Sequence, residues 1–566
     1  MLNRKVADAL NEIADLLDLQ GVGFKPRAYR EAAMSIESLG EDVKVLAEEG
    51  RLREIEGVGE SVEAKITELV GTGSIRYLED LRRKVPAGLV EVMRVPGLGP
   101  KRAMILHDLL GIKDLATLES AAKGHKVRAL KGFGAKTEGK VLEGLGLLKG
   151  SSGRHLLSEM WPLARALVDD LRPRVQRIEV VGSLRRWKET VGDIDILAAG
   201  DKGGVMDALA GHASVEEVLA KGRTKTSVRL TGGVQADLRL LDPKAFGAGL
   251  MYFTGSKQHN IKLRKLAIDK GLKLSEYGLT KKRGGGMVAG ATEEGVYKAL
   301  GLGWIPPEMR EDRGEVEGAQ KGELPEPVAL ADIRGDLQVH TEWSDGRASV
   351  EAMARLAQER GYEWVALTDH SQSLAVAGGM TKEDLARRSK EVERAQSRLK
   401  VRILEGMEVD IRKDGTLDMD RRTLEGLDVV LAAVHTNFNL DEGEQTSRIE
   451  RALGSGLVDV LVHPTGRILG QRAPYAIDLG RVIEAARANG VALEINAFPD
   501  RLDLDSVAAR EAKAAGARLS IGTDAHGPAH LDYMQYGVAV ARRAWLEAGD
   551  LLNTLPFRRL QKALGE

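Results

Sequence analysis

The run Gly182-Ser183-Leu184-Arg185-Arg186, followed by Gly192-Asp193-Ile194-Asp195, decides the reading of this chain. It starts where one apolar strand, Ile178-Glu179-Val180-Val181, ends, and it leads into another, Ile194-Asp195-Ile196-Leu197. On a strand, residues two apart point to the same face, so Asp193 and Asp195 can share one site. A third carboxylate, Asp237, lies in the strand Ala236-Asp237-Leu238-Arg239-Leu240-Leu241, and Val228-Arg229-Leu230 reads as a further strand. Three converging carboxylates beside a glycine turn that can hold a triphosphate are what two-metal phosphoryl transfer needs. One cation activates a hydroxyl and the other steadies the leaving group. A lone Asp-x-Asp is commonplace; the Gly-Ser turn before it makes this one a signal for nucleotidyl transfer.

Upstream, residues 1–150 carry helical spacing, with Leu10, Ile13, Leu16 and Leu17 and then Val62, Ile66 and Leu69. A local pattern recurs there three times: Ile55-Glu56-Gly57-Val58-Gly59, Val95-Pro96-Gly97-Leu98-Gly99-Pro100-Lys101, and Leu130-Lys131-Gly132-Phe133-Gly134-Ala135-Lys136. Each copy is an apolar residue, a Gly-x-Gly turn and a new helix, the layout of a helix-hairpin-helix. The glycines permit a tight turn, and N–H groups at the second helix's start can face a phosphate. One copy would read as a plain turn between packed helices. Three copies, two of them closely followed by lysine, point to a nucleic-acid backbone.

Composition sets the outer bounds. A chain of 566 residues suggests about three to five domains. No cysteine is present, which excludes disulfides, thiolate zinc sites, iron–sulfur clusters and cysteine nucleophiles. Aromatics at 4% argue against a single-strand binder built on rows of stacked bases. The net charge of −1 hides an asymmetry: residues 1–310 carry +9 and residues 311–566 carry −10. A basic half joined to an acidic one suggests a polyanion partner for the first. The N-terminal residues lack the apolar core of a signal peptide, and no apolar run is long enough to span a bilayer. A cytoplasmic, nucleoid-associated protein without membrane contact is expected, and nothing demands more than a monomer.

Over residues 1 to about 316, these motifs resemble the family X DNA polymerases, the relatives of DNA polymerase beta. The resemblance implies that Ser183, Arg186 and the Gly192 backbone contact a dNTP triphosphate, and that Asp193, Asp195 and Asp237 bind Mg²⁺ or Mn²⁺ and carry the catalysis. Asp237 would also accept the primer hydroxyl proton. Tyr252-Phe253-Thr254-Gly255-Ser256 matches the family's sugar-selecting turn, in which Tyr252, Phe253 and Gly255 meet the deoxynucleotide. Asn260 and Arg264 fall on positions that touch the nascent pair and the template. Lys25 and Tyr29 match contacts to a gap's 5′-phosphate, and Lys65 matches the Schiff-base lysine of a 5′-deoxyribose phosphate lyase. The chain departs from the animal enzyme nearby, with Ser61 in place of a phosphate-binding lysine and Phe24 in place of a histidine.

The acidic half alternates short apolar strands with helices: Val365-Ala366-Leu367, Val429-Val430-Leu431, Val460-Leu461-Val462, Ala492-Leu493-Glu494-Ile495 and Leu519-Ser520-Ile521. That alternation implies parallel strands and a β/α barrel. Polar motifs cluster at the strand ends, and five of the 11 histidines sit in them. With Asp345, Glu408 and Asp524 they suggest a multinuclear metal site. This half resembles the polymerase-and-histidinol-phosphatase (PHP) domain. The resemblance implies a ligand set of His340, Asp345, His370, Glu408, His435, His463, Asp524 and His526, holding up to three ions of Mn²⁺ or Zn²⁺, with Fe²⁺ as an alternative. Gln338 stands where the family has the first histidine of a His-x-His pair.

The expectation is therefore a multidomain chain: α-helical, helix-hairpin-helix N-terminal domains at 1–83 and 84–150, an α+β nucleotidyltransferase palm at 151–242 and thumb at 243–312, a linker at 313–329, and a PHP β/α barrel at 330–566. It would fill short gaps in gapped or primer-template DNA bearing a 5′-phosphate during base excision repair, with a metal-dependent 3′→5′ exonuclease in the barrel. Two alternatives are a 3′-end-processing nuclease whose polymerase half only holds DNA, and a gap-binding scaffold with little catalysis.

Overall fold

The computed structural model describes residues 2–565 other than 24, 38–42, 56, 87, 94, 96–97, 152 and 375–376. The N-terminal part is helical. The first helix, Leu2–Leu19, buries Val6, Leu10, Ile13 and Leu17 along one stripe. Buried side chains from Val6 to Leu145 form one continuous apolar cluster, so the helices on either side of residue 83 share a core.

The glycine turns have a steric cause. Gly57 has φ +77°, and a Cβ there would lie 3.0 Å from the Ala32 backbone nitrogen, so glycine alone fits. Gly59 and Gly99 cap the N-termini of helices Glu60–Thr72 and Pro100–Leu110, and helix Ala135–Ser151 begins directly after Gly134. Each helix therefore opens with N–H groups that have no intrahelical partner. Gly97 and Phe24 lie outside the described residues.

The palm is a five-stranded sheet of β1 (Val175–Val180), β2 (Asp193–Asp201), β3 (Val215–Lys221), β4 (Lys225–Leu230) and β5 (Gln235–Leu241), in the order β1-β2-β5-β4-β3. β2 and β5 run parallel, with Asp193 opposite Gln235 and Asp195 opposite Asp237. The remaining neighbours are antiparallel. Helices Phe246–Thr254 and Lys257–Asp269 follow, and the expected Tyr252–Ser256 turn is the last turn of the first plus the Gly255-Ser256 link.

The barrel strands are β6 (Gly335–Val339), β7 (Trp364–Leu367), β8 (Arg402–Asp410), β9 (Val429–Ala433), β10 (Val460–Leu461), β11 (Ala492–Asn496) and β12 (Arg518–Gly522). They pair in sequence order, all parallel, and a Val339–Ala525 bridge brings the first and last edges together. Helices cover the outside, which is why β6, β7, β9 and β11 are buried at every position. Palm and barrel belong to one apolar cluster, joined where Trp187 packs between Trp161, at 4.4 Å, and Tyr536, at 6.4 Å.

The stretch expected as a linker, 313–329, is instead a packed connector. Its helix Glu315–Lys321 buries Val316 and Ala319 in the thumb core. The fully buried Glu315 accepts hydrogen bonds from the Asp312 and Arg313 amides and lies 2.7 Å from His259 Nδ1. Its Pro and Glu content suggested a solvated segment, but Glu315 is satisfied internally and anchors it. Glu315→Ala removes the partner of buried His259 and of two part-buried amides at once, and is expected to lower stability by about 2 kcal/mol in urea unfolding.

Candidate active sites

In the palm, the β2–β5 register sets Asp195 beside Asp237, with Asp193 two residues away on the same face. Burial first, and then the negative charges of Asp193 and Asp237, push the Asp195 carboxyl up to about 6. Asp193 is raised for the same reasons, burial and then Asp237. Asp237 goes the other way. Burial opposes its ionisation, but hydrogen bonds from Lys225, Ser227 and Gln235 bring it below the usual carboxylate range, with Lys225 Nζ 2.7 Å from Oδ2. Like charges crowded on partly buried strand ends are relieved by a divalent cation. The donor set fits one, with Lys225 as a resident countercharge.

Gly182 positions this centre. Its φ is +67°, and a Cβ would fall 2.5 Å from Asp195 Oδ2, so any side chain would displace the carboxylate. An adjoining cleft of about 410 Å³ is lined by Ser183, Arg186, Asp193, Asp195, Tyr252, Phe253, Gly255, Asn260 and Arg264, together with Lys257. Gly192 and Asp237 lie outside that lining. Tyr252 and Phe253 stand edge to face, with centroids 5.2 Å apart. Asn260 donates to the Tyr252 carbonyl at 2.6 Å while its buried Oδ1 has no hydrogen-bond partner. The turn rests on a buried network: Arg185 bonds Thr254 and Glu293, Arg310 bonds Glu293, and the Ser256 amide donates to the Arg310 carbonyl. Arg186 is also engaged, donating to the Thr254 carbonyl and, at 3.1 Å, to Glu311.

At the barrel mouth the ligand atoms fall into three overlapping groups, each with its atoms within 4.8 Å of one another. They are His340, Asp345, His370 and His526; His370, Glu408 and His435; and His340, Glu408 and Asp524. Among the described residues these are the groups so tightly clustered. Glu408 belongs to two of these groups, with His463 Nε2 at 2.9 Å, His435 Nε2 at 3.1 Å and His340 Nε2 at 3.3 Å. Burial opposes its charge, yet the surrounding imidazoles hold it well below the usual carboxylate range. Both ring nitrogens of His340 and Nδ1 of His370, His435 and His463 are buried without a hydrogen-bond partner. Unpartnered lone pairs around carboxylates suit borderline cations such as Mn²⁺, Fe²⁺ or Zn²⁺. Gln338 is fully buried. Its amide donates to Glu408 Oε2 at 3.0 Å and its carbonyl accepts from Asn496 at 3.2 Å.

In the helical part, Lys25 is exposed at the first position of helix Lys25–Glu37, and Lys101 and Lys136 are exposed near the starts of their helices. Tyr29 is 6% exposed, so its ring is largely core. Lys65 Nζ hydrogen-bonds the Ser61 carbonyl and hydroxyl, each at 2.9 Å, and lies 5.6 Å from the Tyr29 ring and 4.8 Å from that of Tyr77.

Comparison with known proteins follows the same division. Residues 1–75 match a helix-hairpin-helix domain, 89–146 a SAM-like helix-hairpin-helix tandem, 249–311 the DNA polymerase beta thumb and 336–497 the PHP domain. The DNA polymerase/3′-5′ exonuclease PolX of Bacillus subtilis (strain 168) is 38% identical over 571 residues, covering 100% of this chain and 99% of that one. This chain belongs to the PHP-bearing family X DNA polymerases. Rat (Rattus norvegicus) DNA polymerase lambda is 26% identical over 338 residues, 55% of this chain and 56% of its own. A probable phosphatase of Thermoanaerobacter sp. (strain X514) is 28% identical over 232 residues, 39% of this chain and 89% of its own.

Two residues at these sites carry no signal in the sequence of this family X chain. Lys225 carries no motif and is found only through its strand pairing. Arg501, whose Nε is 3.5 Å from Asp524 Oδ2, lies past the end of β11 in the loop Ala497-Phe498-Pro499-Asp500-Arg501, which carries no histidine. Because Asp195 must lose its proton to ligate, affinity for Mn²⁺ at the palm is expected to fall as pH drops through about 6, with proton release on binding measurable by calorimetry in two buffers. Asp195→Asn removes the crowding and is expected to raise the melting temperature of the cation-free protein while abolishing that proton release.

Proposed function

We propose that this chain fills short gaps in DNA from the palm site and trims the 3′ end from the barrel site, acting as a monomer on gapped DNA with a 5′-phosphate. The observation that carries the reading is the cleft in which Asp193 and Asp195 line up with Ser183, Arg186, Tyr252, Phe253 and Asn260, beside a second, histidine-rich centre on the same chain. Ser183 and Arg186, with the Gly192 amide, receive the triphosphate of a dNTP. Tyr252 and Phe253 crowd the sugar at C2′ and favour deoxynucleotides, while Asn260 and Arg264 face the base pair and template. Asp237 takes the primer hydroxyl proton once Lys225 gives up Oδ2.

Mg²⁺ or Mn²⁺ in the palm, and up to three ions of Mn²⁺, Zn²⁺ or Fe²⁺ in the barrel, supply the Lewis acidity for attack at phosphorus. In the barrel, the imidazoles and carboxylates would hold the ions that bind the scissile phosphodiester, and the Arg501 guanidinium beside Asp524 is placed to bond a phosphate oxygen. The glycine turns and Lys25, Lys101 and Lys136 hold the duplex and the 5′-phosphate by backbone contacts, a sequence-independent mode sensitive to salt. Lys65 is where a 5′-deoxyribose phosphate would meet an amine. Borohydride trapping of a covalent adduct, lost in Lys65→Ala, tests that additional chemistry.

The test of the main reading is a labelled primer on a one-nucleotide gap with a 5′-phosphate, in Mn²⁺. Extension is expected with dNTPs and trimming without them. Asp193→Ala is expected to abolish extension and leave DNA binding nearly intact, and retained extension would contradict the palm assignment. His370→Ala is expected to remove trimming and spare extension.

A further inference from the structure

The loop that carries Arg186 is not held by the palm alone. Between helix Gly182–Arg185 and β2, residues 186–192 pass along the barrel, and three barrel side chains fasten them. Arg543, from the barrel helix Met534–Arg543, donates to the Arg186 carbonyl at 2.6 Å and sits 3.1 Å from Glu311. Glu311 in turn holds the Arg186 guanidinium at 3.1 Å and lies 3.8 Å from Lys188. Tyr536, from the same helix, packs on Trp187, whose φ is +52°. At the far end of the loop, Arg467 reaches Glu189 at 2.8 Å and is itself fixed by donation to the Arg501 and Leu502 carbonyls.

These contacts are not ordinary surface pairs. The Arg543 side chain is 3% exposed, and those of Arg467, Arg186 and Glu311 are 11%, 13% and 14% exposed. Three cations, Arg186, Lys188 and Arg543, converge on the single carboxylate of Glu311. Burial first, and the nearby Arg543 charge second, lower the Lys188 ammonium. Charge-assisted, desolvated bonds of this kind fix geometry far more firmly than exposed ones. The loop also adopts a backbone conformation uncommon for tryptophan, which persists only where its surroundings over-determine it.

We propose that the barrel is a working part of the nucleotide site: Arg543 and Arg467 are positioning residues that hold the 186–192 loop in the shape that presents Arg186 and the Gly192 amide to the triphosphate. The proposal rests on the nucleotide placement given above. It assigns the barrel a task in polymerisation that is separate from its own ligands, since neither arginine belongs to the metal-binding groups.

The test is single-nucleotide insertion by the full-length protein, with KM for dNTP and kcat determined separately and 3′ trimming measured in the same preparations. Arg543→Ala and Arg467→Ala are each expected to raise KM for dNTP by about tenfold or more, the scale of one lost charge-assisted hydrogen bond. The change in kcat should be smaller, and Arg543→Lys, which keeps the charge opposite Glu311 but not the fork, should fall between. Glu189→Gln combined with Arg467→Ala should raise KM no further than either alone. Ser183→Ala serves as the palm's own control. If it leaves KM unchanged, the nucleotide placement itself fails. If it raises KM while both arginine variants keep the wild-type KM, the barrel's part is overturned. Should Arg543→Ala lose trimming and thermal stability together, the Arg467 and Glu189 variants decide the matter on KM alone.

Discussion

Both candidate sites depend on one constraint: ionisable side chains from separate strands are packed against one another out of solvent, and the strand register imposes that. In the palm the constraint is the β2–β5 register, which sets Asp195 opposite Asp237. Slipping it by one residue would turn a carboxylate to the other face. In the barrel it is Glu408, fully buried among imidazoles from four strands. In the palm the crowded carboxylates resist ionisation and a cation would relieve them, whereas in the barrel the surrounding imidazoles already stabilise the Glu408 charge.

The two halves differ in how they manage the uncompensated state. The palm places the partly exposed Lys225 on Asp237, where a cation would compete with it. The barrel instead shares protons and hydrogen bonds among its ligands, with Gln338 donating to Glu408 and Asn496 bridging Gln338, Glu494 and Asp524. Gln338 thus serves as a wall of the site even where it is a poor ligand. Its amide satisfies two neighbours at the position where the resemblance leads one to expect a histidine.

Much of this was legible in the sequence because strand-borne sites have short signatures. Asp193 and Asp195 are two residues apart, Gly182 opens the short helix that precedes their strand, and most barrel ligands follow an apolar run that announces the strand. What escaped notice are contacts between distant segments. Glu315 and His259 are 56 residues apart, and Arg543 and Glu311 are 232 apart. No local pattern marks such partners. For that reason residues 313–329 read as a linker in the sequence, and nothing local marks the fastening of the palm loop to the barrel. Tyr29, expected to meet the 5′-phosphate, is 6% exposed, with its ring largely in the helical core.

The central claim is that one chain holds two separate cation-dependent centres on a continuous scaffold. Anomalous diffraction from crystals of the full-length protein soaked in Mn²⁺, with gapped DNA and a non-hydrolysable dNTP, tests it most directly. The account predicts one set of peaks between Asp193, Asp195 and Asp237 and another among His340, Asp345, His370, Glu408, His435, Asp524 and His526. Peaks confined to either half, or Lys225 still bonded to Asp237 with nucleotide bound, would contradict it.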